Sequence, residues 1–137
     1  MKASELMIGD WVMSTHPAVP RPIKVTEIGG GNVGYKYGVI QLWFIEPIPV
    51  TPEILEKNGF KLKEERKTYT TYVSVWDEIS IISFAFYKET ICGVDTMLEC
   101  EYGFAGGLDR IHHCHIKYVH ELQHALRLCA IKKEIEL

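Results

Sequence analysis

The segment Tyr118-Val119-His120-Glu121-Leu122-Gln123-His124-Ala125-Leu126-Arg127-Leu128-Cys129 spells His-Glu-x-x-His inside the longest helix pattern of the chain. Two imidazoles one helical turn apart can bind one zinc ion while the glutamate between them polarises a water molecule, which is the chemistry of a metallopeptidase. The set is incomplete, because a catalytic zinc also takes a third protein ligand and keeps an open position. The longer form of the motif would place Gly at 127 and His at 130, where this chain has Arg127 and Ala130. Of the 13 residues after His124, the acids Glu134 and Glu136 follow closely on a tail. A third ligand therefore has to come from upstream, from His112, His113, Cys114 or His115.

On a strand, His113 and His115 share one face and His112 and Cys114 the other. A zinc hydrolase would then use His120, His124, His113 and His115 as the candidate ligands and Glu121 as the base, with Glu121 or Asp109 as acceptors for free ring N–H groups. The competing reading gives the same residues no chemistry. At about 100° per residue, Tyr118, Val119, Leu122, Ala125, Leu126 and Cys129 fall on one side of the helix. His120, His124 and Arg127 fall on the other, and the expectation is that both imidazoles face water.

Other chemistries find less support. There is no Gly-x-Ser-x-Gly elbow, and Gly29-Gly30-Gly31 lacks the Gly-Lys-Ser/Thr that would make it a phosphate loop. Cys92, Cys100, Cys114 and Cys129 are irregularly spaced with no Cys-x-x-Cys pair, so free thiols are expected, with Cys129 in the core. Lys61, Lys63, Arg66 and Lys67 beside Tyr69 and Tyr72, with Tyr35, Tyr37, Trp43 and Phe44 upstream, have the basic-aromatic composition of a single-strand binder. Glu64 and Glu65 interrupt that run, and the formal net charge of the 137 residues is −3, which gives no general attraction to nucleic acid or anionic membrane. Met1-Lys2-Ala3-Ser4-Glu5 does not lead into the apolar core of a signal peptide, and no apolar run is long enough to span a bilayer, so the expected compartment is the cytoplasm.

The elements that would position these residues belong to an ordinary globular chain, 47% apolar and 24% charged. A Gly9-Asp10 turn leads into a strand from Trp11. Pro17, Pro20 and Pro22 form a loop, and Ile23 to Ile28 alternates as one strand. Gly29-Gly30-Gly31-Asn32 makes a turn, and Val33 to Phe44 is strand-rich with Gly34 and Gly38 as bends. Short bent strands over residues 1–47 predict a small SH3-like β module, a barrel or curled sheet. Ile45 to Val50 is an extended connector. Thr51 as N-cap, Pro52 in the first turn and Gly59 beyond the end predict a short helix from Pro52 to Asn58, anchored by Ile54 and Leu55 with Phe60 after it. Strands follow at Phe60–Glu65, Thr68–Trp76, Ile79–Tyr87, Thr90–Tyr102 with a bulge at Gly93, and Ile111–Ile116, with a loop at Gly103, Gly106 and Gly107. Residues 48–137 thus predict a short helix and an antiparallel meander covered by the 117–130 helix, in one α+β protein.

Two stretches, Ile45-Glu46-Pro47-Ile48-Pro49-Val50-Thr51-Pro52 through Gly59-Phe60 and Lys117-Tyr118-Val119-His120-Glu121-Leu122-Gln123-His124, together with the Leu6-x-Ile8-Gly9-Asp10-Trp11-Val12 opening, resemble an uncharacterised family of short proteins. That family is found in anaerobic gut bacteria and their prophages. The resemblance implies that positions 121 and 124 are often Gln and Asn, which would remove the base and one ligand of the zinc reading. It implies a bacterial, mobile-element context and no particular activity. The sequence reading is therefore a non-enzymatic accessory protein with no cofactor, whose partner is another protein or its own copy. A zinc hydrolase and a single-stranded nucleic-acid binder are the alternatives.

Overall fold

The computed structural model describes residues 1–67, 69–75, 80–87, 98–104, 110–128 and 131–137, with side chains described at 1–67, 70–72, 116–128 and 131–137. After a 3-10 turn at Ala3–Glu5, β1 (Trp11–Ser14) lies between β2 (Pro22–Lys24) and β6 (Ile45–Glu46), antiparallel to both. A second three-stranded sheet is built from β3 (Glu27–Gly29), β4 (Asn32–Tyr35) and β5 (Gly38–Gln41).

The single strand expected from Ile23 to Ile28 is two strands in two sheets. Val25 N donates to Asp10 O at 2.9 Å and Thr26 N donates to Gly34 O at 2.8 Å, so the chain changes sheets between these residues while its alternation continues. Pro22, expected in a loop, begins edge strand β2, a position a residue without an N–H can hold. The Gly-rich turn is as expected: Gly30 and Gly31 adopt φ of 57° and 75° between β3 and β4. Among the described residues these strands form two three-stranded sheets and no closed barrel.

Helix α1 (Pro52–Lys57) forms where its cap residues predict it. Thr51 Oγ1 accepts from Ile54 N at 3.4 Å, and Gly59 takes a φ of 84° just past the end. The antiparallel meander follows as a five-stranded sheet in the order β11-β10-β9-β8-β7. Its strands are β7 (Lys61–Glu65), β8 (Tyr69–Val75), β9 (Ser80–Tyr87), β10 (Leu98–Phe104) and β11 (Arg110–Ile116). Gly103, expected in a loop, lies within β10, where the register shifts between Tyr102 and Gly103. Thr68, Trp76, Gly93, Gly106 and Gly107 lie outside the described residues. Helix α2 (Val119–Leu128) closes the order of elements, and Cys129 and Ala130 also lie outside the described residues. Among the described residues no helix is long and apolar enough to cross a membrane.

Two hydrophobic cores result, and β1 is the wall between them. Val12 packs with Leu6, Ile23, Val25, Val33, Ile40 and Ile45 on the N-terminal side. Trp11 and Met13, on the opposite side of the strand, pack against the core of Ile48, Val50, Leu55, Phe60, Tyr72, Ile116, Val119, Leu122, Leu126 and Ile135. The residues after α2 reinforce this junction instead of forming a loose tail. Trp11 Nε1 donates to Ile135 O at 2.8 Å, and Asn58 exchanges two hydrogen bonds with the Glu136 backbone at 2.7 and 2.9 Å. Glu134 pairs with Lys24.

Candidate functional site

The extended connector sets the start of α2. Val50 N donates to Lys117 O at 3.0 Å and Val119 N to Ile48 O at 2.8 Å, which brings the first turn of the helix beside Pro47. Glu121 then fills a structural role. Its Oε2 accepts from Lys117 N at 2.7 Å and Tyr118 N at 3.0 Å, satisfying amides that a helix start leaves without partners. The glutamate expected to polarise a zinc-bound water is thus the cap of its own helix.

The polar face of α2 does not look out to water as the helical pattern suggested. It lies against the segment that leads into β1. Gln123 is buried, accepting from Trp11 N at 2.8 Å and donating to Gly9 O at 3.0 Å, so its amide reproduces one rung of a β-ladder. At the next position His124 Nε2 meets Asp10 Oδ2 at 2.7 Å, and one turn beyond Gln123 Arg127 donates to Asp10 Oδ1 at 3.0 Å. Met7 N also donates to Asp10 Oδ2, at 2.7 Å. Asp10 is 0% exposed, and its three partners together satisfy a carboxylate that would otherwise be costly to bury. Gly9, at φ 92°, takes a backbone conformation that favours glycine, and a Cβ there would lie 3.0 Å from the Arg127 guanidinium, which would have to give by a few tenths of an ångström.

His120 is also inside, 5% exposed, stacked on Tyr118 with ring centroids 5.8 Å apart and planes 9° apart, and edge-on to His124 at 5.8 Å. Its Nδ1 has no access to solvent and, among the described residues, no partner. Burial pushes its pKa below the usual 6.5, against the opposing charges of Glu121 and Asp10. His120, His124, Tyr118 and Glu121 line a cleft of about 480 Å³ completed by Met1, Glu5 and Pro47.

The sequence-derived site residues are thus partly brought together. His120 and His124 are adjacent, but among the described residues no group of three or more His, Cys, Asp or Glu side chains could hold a metal ion. The strand carrying His113 and His115 is described, while the side chains of both, and the whole of Asp109, lie outside the described residues. The basic-aromatic surface is reduced as well. Tyr72 is buried, Arg66 pairs with Glu64, and the side chain of Tyr69 lies outside the described residues. Asp10 was missed by sequence reasoning, which assigned it only to a turn. Its side-chain partners stand 114 and 117 positions away, and no local pattern marks such a contact.

The fold and site define an α+β protein of antiparallel sheets and a C-terminal helix, with a polar seam and an adjoining cleft. No protein-family model, curated protein or solved structure matches the chain.

Proposed function

We propose that the protein is a non-enzymatic, cytoplasmic accessory protein whose SH3-like N-terminal module docks a protein partner, its own copy included. The observation that carries this reading is the exposed apolar surface of that module, where Trp43 is 74% exposed, Tyr37 67% and Val39 65%. Large aromatic side chains left in water are the usual anchors of protein interfaces. The hydrolase reading loses ground at the same time, since Glu121 caps α2 and His124 is held by a buried carboxylate. The resemblance of the 45–60 and 117–124 segments supports a bacterial, mobile-element context.

Sedimentation of the untagged chain over a wide concentration range, together with photo-crosslinking from the exposed position 41, tests the proposal. The expected result is a specific protein adduct, homotypic or heterotypic, that is lost in a Tyr37→Ser, Trp43→Ser double variant with an unchanged thermal midpoint. Stoichiometric zinc in the untagged protein, with peptide hydrolysis abolished by His124→Ala, would overturn it.

A second reading, single-stranded nucleic-acid binding, is favoured by one observation. Arg21 and Lys36 place their cations 5.6 and 5.1 Å from the centre of the Tyr37 ring, giving an exposed basic-aromatic spot. It requires salt-sensitive retention on an oligonucleotide column, and absence of retention at low salt removes it.

A further inference from the structure

We propose that the open edge of β5 pairs antiparallel with β5 of a second copy of this chain, joining two three-stranded sheets across a two-fold axis. The proposal rests on the reading of the exposed aromatic surface as a protein-docking surface and names its occupant.

Strand β5 is the last in the order β3-β4-β5, so one of its sides has no strand beside it among the described residues. Leu42 N donates to Gly31 O at 2.9 Å, and bonded pairs alternate along an antiparallel ladder, so Gly38 and Ile40 bond to β4. Val39 therefore turns its N–H and C=O to the open side, and Gln41 its N–H. Gly34, the register partner of Val39, agrees with this: its own C=O accepts from Thr26 N at 2.8 Å, on the other side of β4.

Sheets guard such rows of unpaired amides with charge or proline. The other edge strands follow that rule, with Lys24 in β2, Glu27 in β3, Glu46 in β6, Lys61 in β7 and Arg110 in β11. Strand β5 does not. Gly38-Val39-Ile40-Gln41 and the Leu42-Trp43 that follow contain neither a charge nor a proline, and Val39 is 65% exposed. The complement of a bare edge is another strand, bound through main-chain rungs.

The residues at the two ends of this edge select a second copy as the source of that strand. Tyr37, 67% exposed, precedes β5, and Trp43, 74% exposed, follows it. Antiparallel pairing about a two-fold near Val39 carries the Tyr37 end of each copy toward the Trp43 end of the other, so one self-complementary contact covers both kinds of ring. The charges agree with this arrangement. Arg21 and Lys36, beside the Tyr37 ring, approach the uncharged pair of Trp43 and Phe44, whose ring centroids are 6.0 Å apart. The two basic spots stay at opposite ends of the joined strands, roughly 15 Å apart at about 3.3 Å per residue, which exceeds the screening length of about 8 Å.

Sedimentation equilibrium of the untagged full chain, with amide hydrogen exchange measured at the lowest and highest concentrations, tests the proposal. The expected result is a monomer–dimer equilibrium in which the Val39 and Gln41 amides exchange about tenfold more slowly once the dimer predominates. Val39→Lys and Val39→Glu are each expected to weaken association more than about tenfold by setting like charges face to face, and an equimolar mixture of the two is expected to restore it. Val39→Pro, which removes an N–H that β4 does not use, is expected to weaken it as well. A chain that stays monomeric throughout, or one that associates while Val39 and Gln41 exchange at the monomer rate, would overturn the proposal. A heterotypic adduct from position 41 of a monomeric chain would overturn it and leave the docking surface standing, whereas no adduct of any kind would remove both.

Discussion

One turn of a single helix separates the seam at Asp10 from the cleft at His120, and the two regions treat the same residue type in opposite ways. At the seam, His124 and its neighbours meet partners: the carboxylate of Asp10 takes three donors, and Gln123 both accepts from and donates to the strand approach. At the cleft, His120 is the more enclosed of the two histidines, 5% exposed, but has a ring nitrogen with no partner among the described residues. The difference teaches that the His-Glu-x-x-His spacing here is divided between two tasks. The second histidine and the glutamine before it clasp the N-terminal module to the C-terminal helix. The first histidine is left at the wall of an open space.

The contrast can be broken most severely at its buried charge. Asp10→Ala leaves His124, Arg127 and Met7 N without their common acceptor and is expected to destabilise the protein by about 3–5 kcal/mol, measured by denaturant unfolding. Asp10→Asn, which keeps an acceptor, is expected to lose clearly less. Gln123→Ala removes both amide contacts with the approach to β1 and is expected to lose about 2–3 kcal/mol, as a buried N–H and C=O are left unsatisfied. Glu121→Ala takes away only a helix cap and is expected to lose about 1 kcal/mol. A catalytic base would instead show its loss in activity with little change in stability.

The smallest effect sharpens the cleft side of the comparison. Burial holds the His120 imidazole below 6.5, so under that value the unfolded chain takes up a proton that the folded ring refuses. Stability therefore falls as pH drops from the ordinary histidine value toward the depressed one and levels off below it. Thermal midpoints across that range are expected to decline in the parent chain and in His16→Gln, and to flatten in His120→Gln.

The parts of this architecture legible in the sequence are those fixed by near neighbours. Thr51, Pro52 and Gly59 announce α1 because capping acts within one turn, and Val119, Leu122 and Leu126 announce the buried face of α2 through their period. The antiparallel meander follows from strand-length runs joined in order. What was not legible depends on distant partners or on continuity that hides a break. Alternation from Ile23 to Ile28 persists across a change of sheet, so it cannot mark the boundary. Cys100 and Cys114, irregularly spaced in the sequence, are register partners of β10 and β11. The polar stripe of α2 reads as a solvated face from periodicity alone, because a histidine that meets Asp10 114 positions away has the same local pattern as one that meets water.

Asp10 and His124 act together to hold the two cores in one structure. A double-mutant cycle with Asp10→Asn and His124→Ala, read by urea unfolding, tests it most directly. The account predicts a coupling energy of about 1–2 kcal/mol between the two positions. Additivity to within about 0.3 kcal/mol would contradict it.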